Sequence, residues 1–247
     1  MAWWAFLVVS SLALFPVAVL VWAVTSPFDP QRRALHRFTC LWASLYTWLN
    51  PAWTVTVEGR EKIRPDATYV MIANHASFAD ILVLFRLFVH FKWVSKIEMF
   101  RIPCLGWNMR LNGYVPLRRG DARSIADMME ACLRTLADGN SIMMFPEGTR
   151  SLDGRLKPFK HGAFTLAQRA RVPLLPIVVE GTFEALPARG LVLGGPRAIR
   201  LRVLDEIPYA RFAGWPVEAL TASVHALYRR ELGEVDETHA HAAAAAR

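Results

Sequence analysis

Apolar residues dominate the start of the chain. No side chain carries a charge before Asp29, and from Ala2 to Thr25 the run is broken only by Ser10, Ser11 and Pro16. At 1.5 Å rise per residue, about 20 such residues cross the hydrocarbon core of a bilayer. A cleaved signal peptide wants a basic leading region and a shorter apolar stretch, and neither is present. Pro16 removes a helical hydrogen bond in mid-span and kinks or splits the helix, so the segment either crosses once or dips in and returns. Arg32, Arg33 and Arg37 follow at once and place the body on the cytoplasmic side. A second uncharged stretch, Phe38 to Trp53, is too short to cross comfortably. Leu35, Phe38, Trp42, Leu45 and Leu49 recur at three- and four-residue spacing on one helical face. Packing on a domain core accounts for such a stripe. Yet Trp3, Trp4, Trp22, Trp42, Trp48 and Trp53 all fall in this first fifth, and Trp favours membrane interfaces. An interfacial helix is therefore the preferred reading.

After Trp53 the periodicity changes. Thr54 to Val57 alternates and stops at Glu58-Gly59, as a short strand does. Continuous apolar runs at Tyr69–Ala73 and Ser141–Phe145 predict buried strands, joined by Trp93-Val94 and the β-branched Leu174–Val179. Ile199–Leu204 alternates Arg with apolar residues, as a half-exposed strand does. Helices are predicted over Ile81–Val89, Ser124–Ala137, Ala163–Arg171 and Val217–Leu232. Strands alternating with helices predict an α/β fold, an αβα sandwich around a largely buried sheet. Three parts are expected: membrane-associated helices over 1–53, the α/β domain over 54–235, and a low-complexity tail over 236–247. His239 and His241 in that tail could hold a metal, but a frayed, solvated end is the preferred reading.

Composition narrows the classes. Hydrophobic residues make up 53% of 247 and charged residues 20%, which excludes a disordered or fibrous chain. The net charge of +8 sits wholly beyond the uncharged end, a pairing that suits an anionic membrane surface. Nucleic acid is set aside as a partner, because no basic run or recognition motif accompanies the charge. Cys40, Cys104 and Cys132 are odd in number and far apart, so they form neither a disulfide framework nor a metal cluster.

Candidate chemistry sits where buried strands end. Asn74-His75-Ala76-Ser77-Phe78-Ala79-Asp80 follows the first buried run. His75 and Asp80, five apart on one helix, would diverge by about 140°. They meet only if His75 lies on the loop and the helix begins near Ser77. Asp80 then either completes a capping-box-like pair with Ser77 or orients His75 as a general base, and spacing alone does not choose. Met144 to Ser151 follows the second buried strand. Pro146 and Gly148 suit a type I turn, and the same turn offers backbone N–H groups, a hydroxyl and Arg150 to an anion.

Together these stretches resemble the glycerolipid acyltransferase family, and within it the 1-acyl-sn-glycerol-3-phosphate acyltransferases. Four blocks of that family appear in order. Asn74, His75 and Asp80 match the first, and Gly113-Tyr114-Val115-Pro116-Leu117-Arg118 the second, where Pro116 and Leu117 depart from the usual pattern. Phe145-Pro146-Glu147-Gly148-Thr149-Arg150-Ser151 matches the third throughout, and Val172-Pro173-Leu174-Leu175-Pro176 the fourth. Lys160 and Gly162 also fit a pattern that follows the third block.

The resemblance implies transfer of an acyl group from a thioester to the 2-hydroxyl of 1-acyl-sn-glycerol-3-phosphate, making phosphatidic acid for phospholipid synthesis. His75 would be the base and Asp80 its orienting acid. Arg118 and Arg150 would clamp phosphate, with Glu147, Gly148, Thr149 and Lys160 completing the substrate pocket. No metal or cofactor is implied, only acyl-CoA or acyl carrier protein as donor and membrane lipid as surroundings, with the site facing the cytoplasm. Another lysolipid, such as a lyso-ornithine lipid or a lysophospholipid, is the alternative acceptor. A non-catalytic lipid-binding protein is the rival class, disfavoured because a binder needs no base.

Overall fold

A computed structural model of the chain describes residues 2–187 and 194–234. The tail with His239 and His241, and the boundary expected at 235, lie outside them. In chain order the elements are α1 (Ala2–Thr25), α2 (Arg33–Trp48), β1 (Trp53–Glu58), β2 (Val70–Ala73), α3 (Ala79–Leu84), β3 (Phe91–Lys96), α4 (Leu105–Leu111), β4 (Val115–Leu117), α5 (Ala122–Ala137), β5 (Ser141–Met144), α6 (Gly162–Ala170), β6 (Leu174–Glu180), α7 (Thr182–Ala185), β7 (Arg197–Val203) and α8 (Val217–Glu231). The seven strands form one sheet in the order β1-β7-β6-β2-β5-β3-β4. All neighbours run parallel except the antiparallel pair β6–β7. The C-terminal ends of β6, β2, β5, β3 and β4 therefore open on one edge.

The unbroken apolar run of β2 follows from its central place. Successive strand side chains point to opposite faces. Val70 and Ile72 enter a core built with α5, α6 and α8, whereas Tyr69, Met71 and Ala73 enter a second core with α2 and α3. With both faces covered there is no room for a polar position. Truncating the fully buried Ile72 to Ala would cost about 2–5 kcal/mol. The expected αβα sandwich is what the chain forms.

Boundaries differ where local geometry intervenes. The helix expected over Ile81–Val89 is shorter: α3 tightens into a 3-10 turn over Phe85–Leu87, and Phe88 at φ 52° ends it. The helix expected from Ser124 starts earlier, because Asp121 caps it by accepting the Ser124 N–H at 3.0 Å. The strand at Trp93-Val94 extends over all of β3, and α4 was not anticipated at all.

The N-terminal pair departs most from expectation. α1 runs unbroken through Pro16 for 24 residues, about 36 Å at 1.5 Å per residue, so the segment is not split. One stripe of it packs on the protein along its whole length. Trp3 donates Nε1–H to Tyr46 O at 3.3 Å, Ser10 and Ser11 hydroxyls meet Tyr46 Oη at 3.0 and 3.1 Å, and Phe15 lies 5.3 Å from Trp107. The other face exposes Val8, Val9, Leu12, Leu20 and Val24. α2 lies beneath α1, so its stripe faces the protein: Leu35 and Trp42 are buried, Phe38 and Leu45 half-buried, and Leu49 alone is exposed. Leu35 and Trp42 thus pack in the core, while Leu41, Trp48 and Leu49 keep an apolar rim of this helix exposed. The buried polar residues of α2 fit this, since His36 Nδ1 meets Tyr114 Oη at 3.0 Å. Of the three arginines, Arg32 is held in the fold, donating to Leu111 O at 2.6 Å and Arg110 O at 3.1 Å at the end of α4. Arg33 and Arg37 remain exposed.

Candidate active site

β2 stops at Ala73 because the next residue substitutes a side chain for the ladder. Asn74 accepts the Val179 N–H through Oδ1 and donates Nδ2–H to Val179 O, both at 2.8 Å. β6 thus stays bonded while the backbone turns away and delivers His75 to the loop. α3 then begins behind Ser77, whose Oγ accepts the Ala79 N–H at 3.0 Å and donates to Leu186 O at 2.6 Å.

Asp80 sits in the first turn of α3, fully buried. Its Oδ2 receives His75 Nδ1, Ala76 N and Ser77 N, each at 2.8 Å. The capping role and the orienting role are thus one arrangement, carried by one oxygen. A carboxylate oxygen only accepts, so His75 carries its proton on Nδ1 and keeps a lone pair on Nε2. Asp80 Oδ1 is buried without a partner among the described residues.

The turn after β5 completes the loop from the other side. Gly148 N donates to Phe145 O at 3.0 Å, closing the expected turn. Phe145 stacks on the His75 ring, with centroids 3.8 Å apart and planes at 8°, and Trp93 lies 5.3 Å beyond it. Glu147 is buried, and both its oxygens hold backbone: Oε1 accepts His75 N at 2.6 Å and Oε2 accepts Lys157 N at 3.1 Å. Desolvation pushes its pKa up to about 7, against the pull of those two N–H groups. Ser151 N donates to His75 O at 2.8 Å, so the His75 backbone is held at both its N–H and its C=O. Gly148 has φ +72°, and a Cβ there would sit 3.0 Å from Lys160 Cε and Nζ. Glycine lets the lysine cross over the turn.

The structure brings His75, Asp80 and Glu147 together and sets Gly148 against Lys160. Thr149, Arg150 and Lys160 are exposed on the same edge. Arg118 follows β4, three strand steps from β2 or roughly 14 Å at ~4.8 Å per step. It is exposed and lies 4.0 Å from Asp121 in its own loop. Two residues with clear positions here had no role assigned from sequence, Phe145 and Asn74. The signal for Asn74 was a polar residue closing a run of buried apolar ones. For Phe145 it was an aromatic ending the strand beside the histidine loop.

The sequence model of the family described as Acyltransferase matches residues 54–180, more than half of the chain. The chain belongs to this acyltransferase family. Among its relatives is the chloroplastic 1-acyl-sn-glycerol-3-phosphate acyltransferase LPAT1 of Arabidopsis thaliana, 44% identical over 162 residues, covering 65% of this acyltransferase and 45% of the plant protein. A 1-acyl-sn-glycerol-3-phosphate acyltransferase of Chlamydomonas reinhardtii is 42% identical over 187 residues, covering 75% and 55% of the two chains. The chain spans about half the length of the curated relatives it matches. Among solved structures, the crystal structure of the 1-acyl-sn-glycerophosphate (LPA) acyltransferase PlsC from Thermotoga maritima superposes with a TM-score of 0.68 at 24% identity. It covers 92% of this acyltransferase and 97% of its own chain, a likeness that shows the fold.

Proposed function

We propose that this acyltransferase moves an acyl group from a thioester to the 2-hydroxyl of 1-acyl-sn-glycerol-3-phosphate, making phosphatidic acid. The observation that carries the reading is the 2.8 Å contact between His75 Nδ1 and a buried Asp80 oxygen already fixed by two backbone N–H groups. That arrangement points a basic Nε2 outward from a stacked, immobilised ring.

His75 Nε2 takes the hydroxyl proton as the glycerol oxygen attacks the thioester carbonyl carbon. The tetrahedral adduct collapses with cleavage of the C–S bond, and the imidazolium returns the proton to the leaving thiolate. Ester and free thiol result, with no acyl-enzyme between them. Asp80 stabilises the imidazolium while it exists. Arg150 after the turn beside His75, Lys160 crossing over that turn, and Arg118 from the far side of the edge hold the phosphate through charge-assisted hydrogen bonds. Glu147 supports the pocket by holding the His75 backbone. The reaction needs no cofactor beyond acyl-CoA or acyl carrier protein.

Lipid substrates require the site to lie at a membrane. The apolar outer face of α1 supports that placement, with Arg33 and Arg37 toward the anionic headgroups and the site facing the cytoplasm. The test is purified protein assayed against a matrix of lysolipid acceptors and acyl donors, read by mass spectrometry. Phosphatidic acid from lysophosphatidic acid is the expected dominant product. Preference for a lyso-ornithine lipid or a lysophospholipid would replace the acceptor, and no product with any pair would leave a lipid binder.

A further inference from the structure

A cavity of about 160 Å3 opens beside His75, between the loop that follows β5 and the end of β6. It lies between the Gly154–Leu156 segment and the turn from β6 into α7, and Leu232 and Glu234 close it after α8. Neither Arg118 nor Arg150 nor Lys160 lines it. Its walls carry Glu184, Glu180 paired through one oxygen with Arg202 at 2.9 Å, and Glu234 accepting the Leu156 N–H at 2.9 Å, beside the buried Glu147; Arg155 is the one Lys or Arg among the lining residues.

We propose that this cavity receives the pantetheine arm of the acyl-thioester donor, so that donor and acceptor reach His75 by separate approaches. The inference rests on the acyl-transfer reading and assigns a place to the second substrate. Attack at a carbonyl brings two molecules to one Nε2, and they cannot share an approach. Charge separates them. The edge across β5 to β4 carries Arg118, Arg150 and Lys160 and suits a phosphate. An acid-lined cavity repels phosphate but accepts a neutral chain whose amide N–H groups need acceptors. Gly154 and Gly181 form part of the walls at φ +81° and +80°, packed so closely on the Phe183 ring and on Ala198 O that a Cβ would come within 2.9 and 2.2 Å, so the backbone itself is the wall there. Arg155, exposed, offers a counter-charge to the phosphate at the far end of the arm.

Full-length Leu232→Trp and Leu156→Trp, assayed with an acyl-CoA and lysophosphatidic acid, test the assignment. The expected result is a donor KM raised about tenfold or more with the acceptor KM within about twofold. Arg150→Ala should show the reverse pattern. A labelling experiment decides if the tryptophan variants fail to fold. Leu232→Cys is treated with a pantetheine methanethiosulfonate, and the native Cys40, Cys104 and Cys132 are all buried. Labelling should be blocked by a non-hydrolysable acyl-CoA thioether and not by lysophosphatidic acid. Protection by the lysolipid alone, a raised acceptor KM, or unchanged constants in well-folded variants overturns the proposal. Wild-type protein inert with every donor and acceptor would instead sink the acyl-transfer reading, while the labelling pattern still reports on the cavity.

Discussion

Asp80→Asn separates the charge of the carboxylate from its geometry. In the wild type one oxygen receives His75 Nδ1, Ala76 N and Ser77 N. An asparagine NH2 in that place would face the two backbone donors, so the amide oxygen must take it. The His75 proton then stays on Nδ1, and the ring keeps its stacking on Phe145. What is lost is the negative charge opposite the imidazolium. A hydrogen bond to a charged group contributes ~1.5–3 kcal/mol. At ~1.36 kcal/mol per tenfold, that is a fall in kcat of roughly 10- to 150-fold. Asp80→Ala should do more, since it also strands two buried N–H groups at a cost of about 1–3 kcal/mol each. Thiol release from acyl-CoA in the presence of lysophosphatidic acid gives the rate, and thermal melting gives the stability. The expected pattern is a slow Asp80→Asn enzyme that melts near wild type and an Asp80→Ala protein that is both slow and unstable. An Asp80→Asn variant turning over within about threefold of wild type would refute the argument and leave Asp80 as a cap.

His75→Ala should lose ~10²–10⁴-fold in rate with membrane binding intact, and a loss under about tenfold would remove it as the base. Arg150→Ala should raise the acceptor KM by roughly 10- to 150-fold, for ~1.5–3 kcal/mol lost at the phosphate; an unchanged acceptor KM would place the phosphate elsewhere. Glu147 has a folded pKa of about 7 against an ordinary 4.5, so it binds a proton on folding between those values. Its contribution to stability is therefore full below about pH 4.5 and declines as pH rises toward 7. Melting curves should show that slope in wild type and lose it in Glu147→Gln, whereas an identical slope in both would deny the shift. High salt should leave the full-length protein on vesicles, because screening acts on charges and not on the apolar face of α1. Leu12→Arg on that exposed face should weaken retention without lowering the melting temperature, and salt release of the wild type would end the anchoring argument.

Periodicity and local chemistry were enough for the α/β class, the buried strands and the long apolar helix. Each rests on neighbours in sequence: a strand covered on both faces must be apolar throughout, as Val70–Ala73 is. The condition for His75 to meet Asp80 was legible for the same reason, because it asks only for a loop followed by a helix that begins near Ser77. Whether Asp80 capped the helix or held the histidine was not legible, since spacing cannot tell that one oxygen does both.

Contacts distant in sequence had to come from the tertiary structure. The burial of the α2 stripe depends on α1 lying over it, and an amphipathic face looks the same whether protein or lipid covers it. That the Glu147 oxygens hold His75 N and Lys157 N depends on β5 lying beside β2, a contact between residues distant in sequence. Phe145 meets His75, and Asn74 meets Val179, only because β5 and β6 flank β2. Strand order sets those meetings. It is decided by which apolar faces bury best together, a free energy summed over the whole chain, so no single stretch of residues carries it.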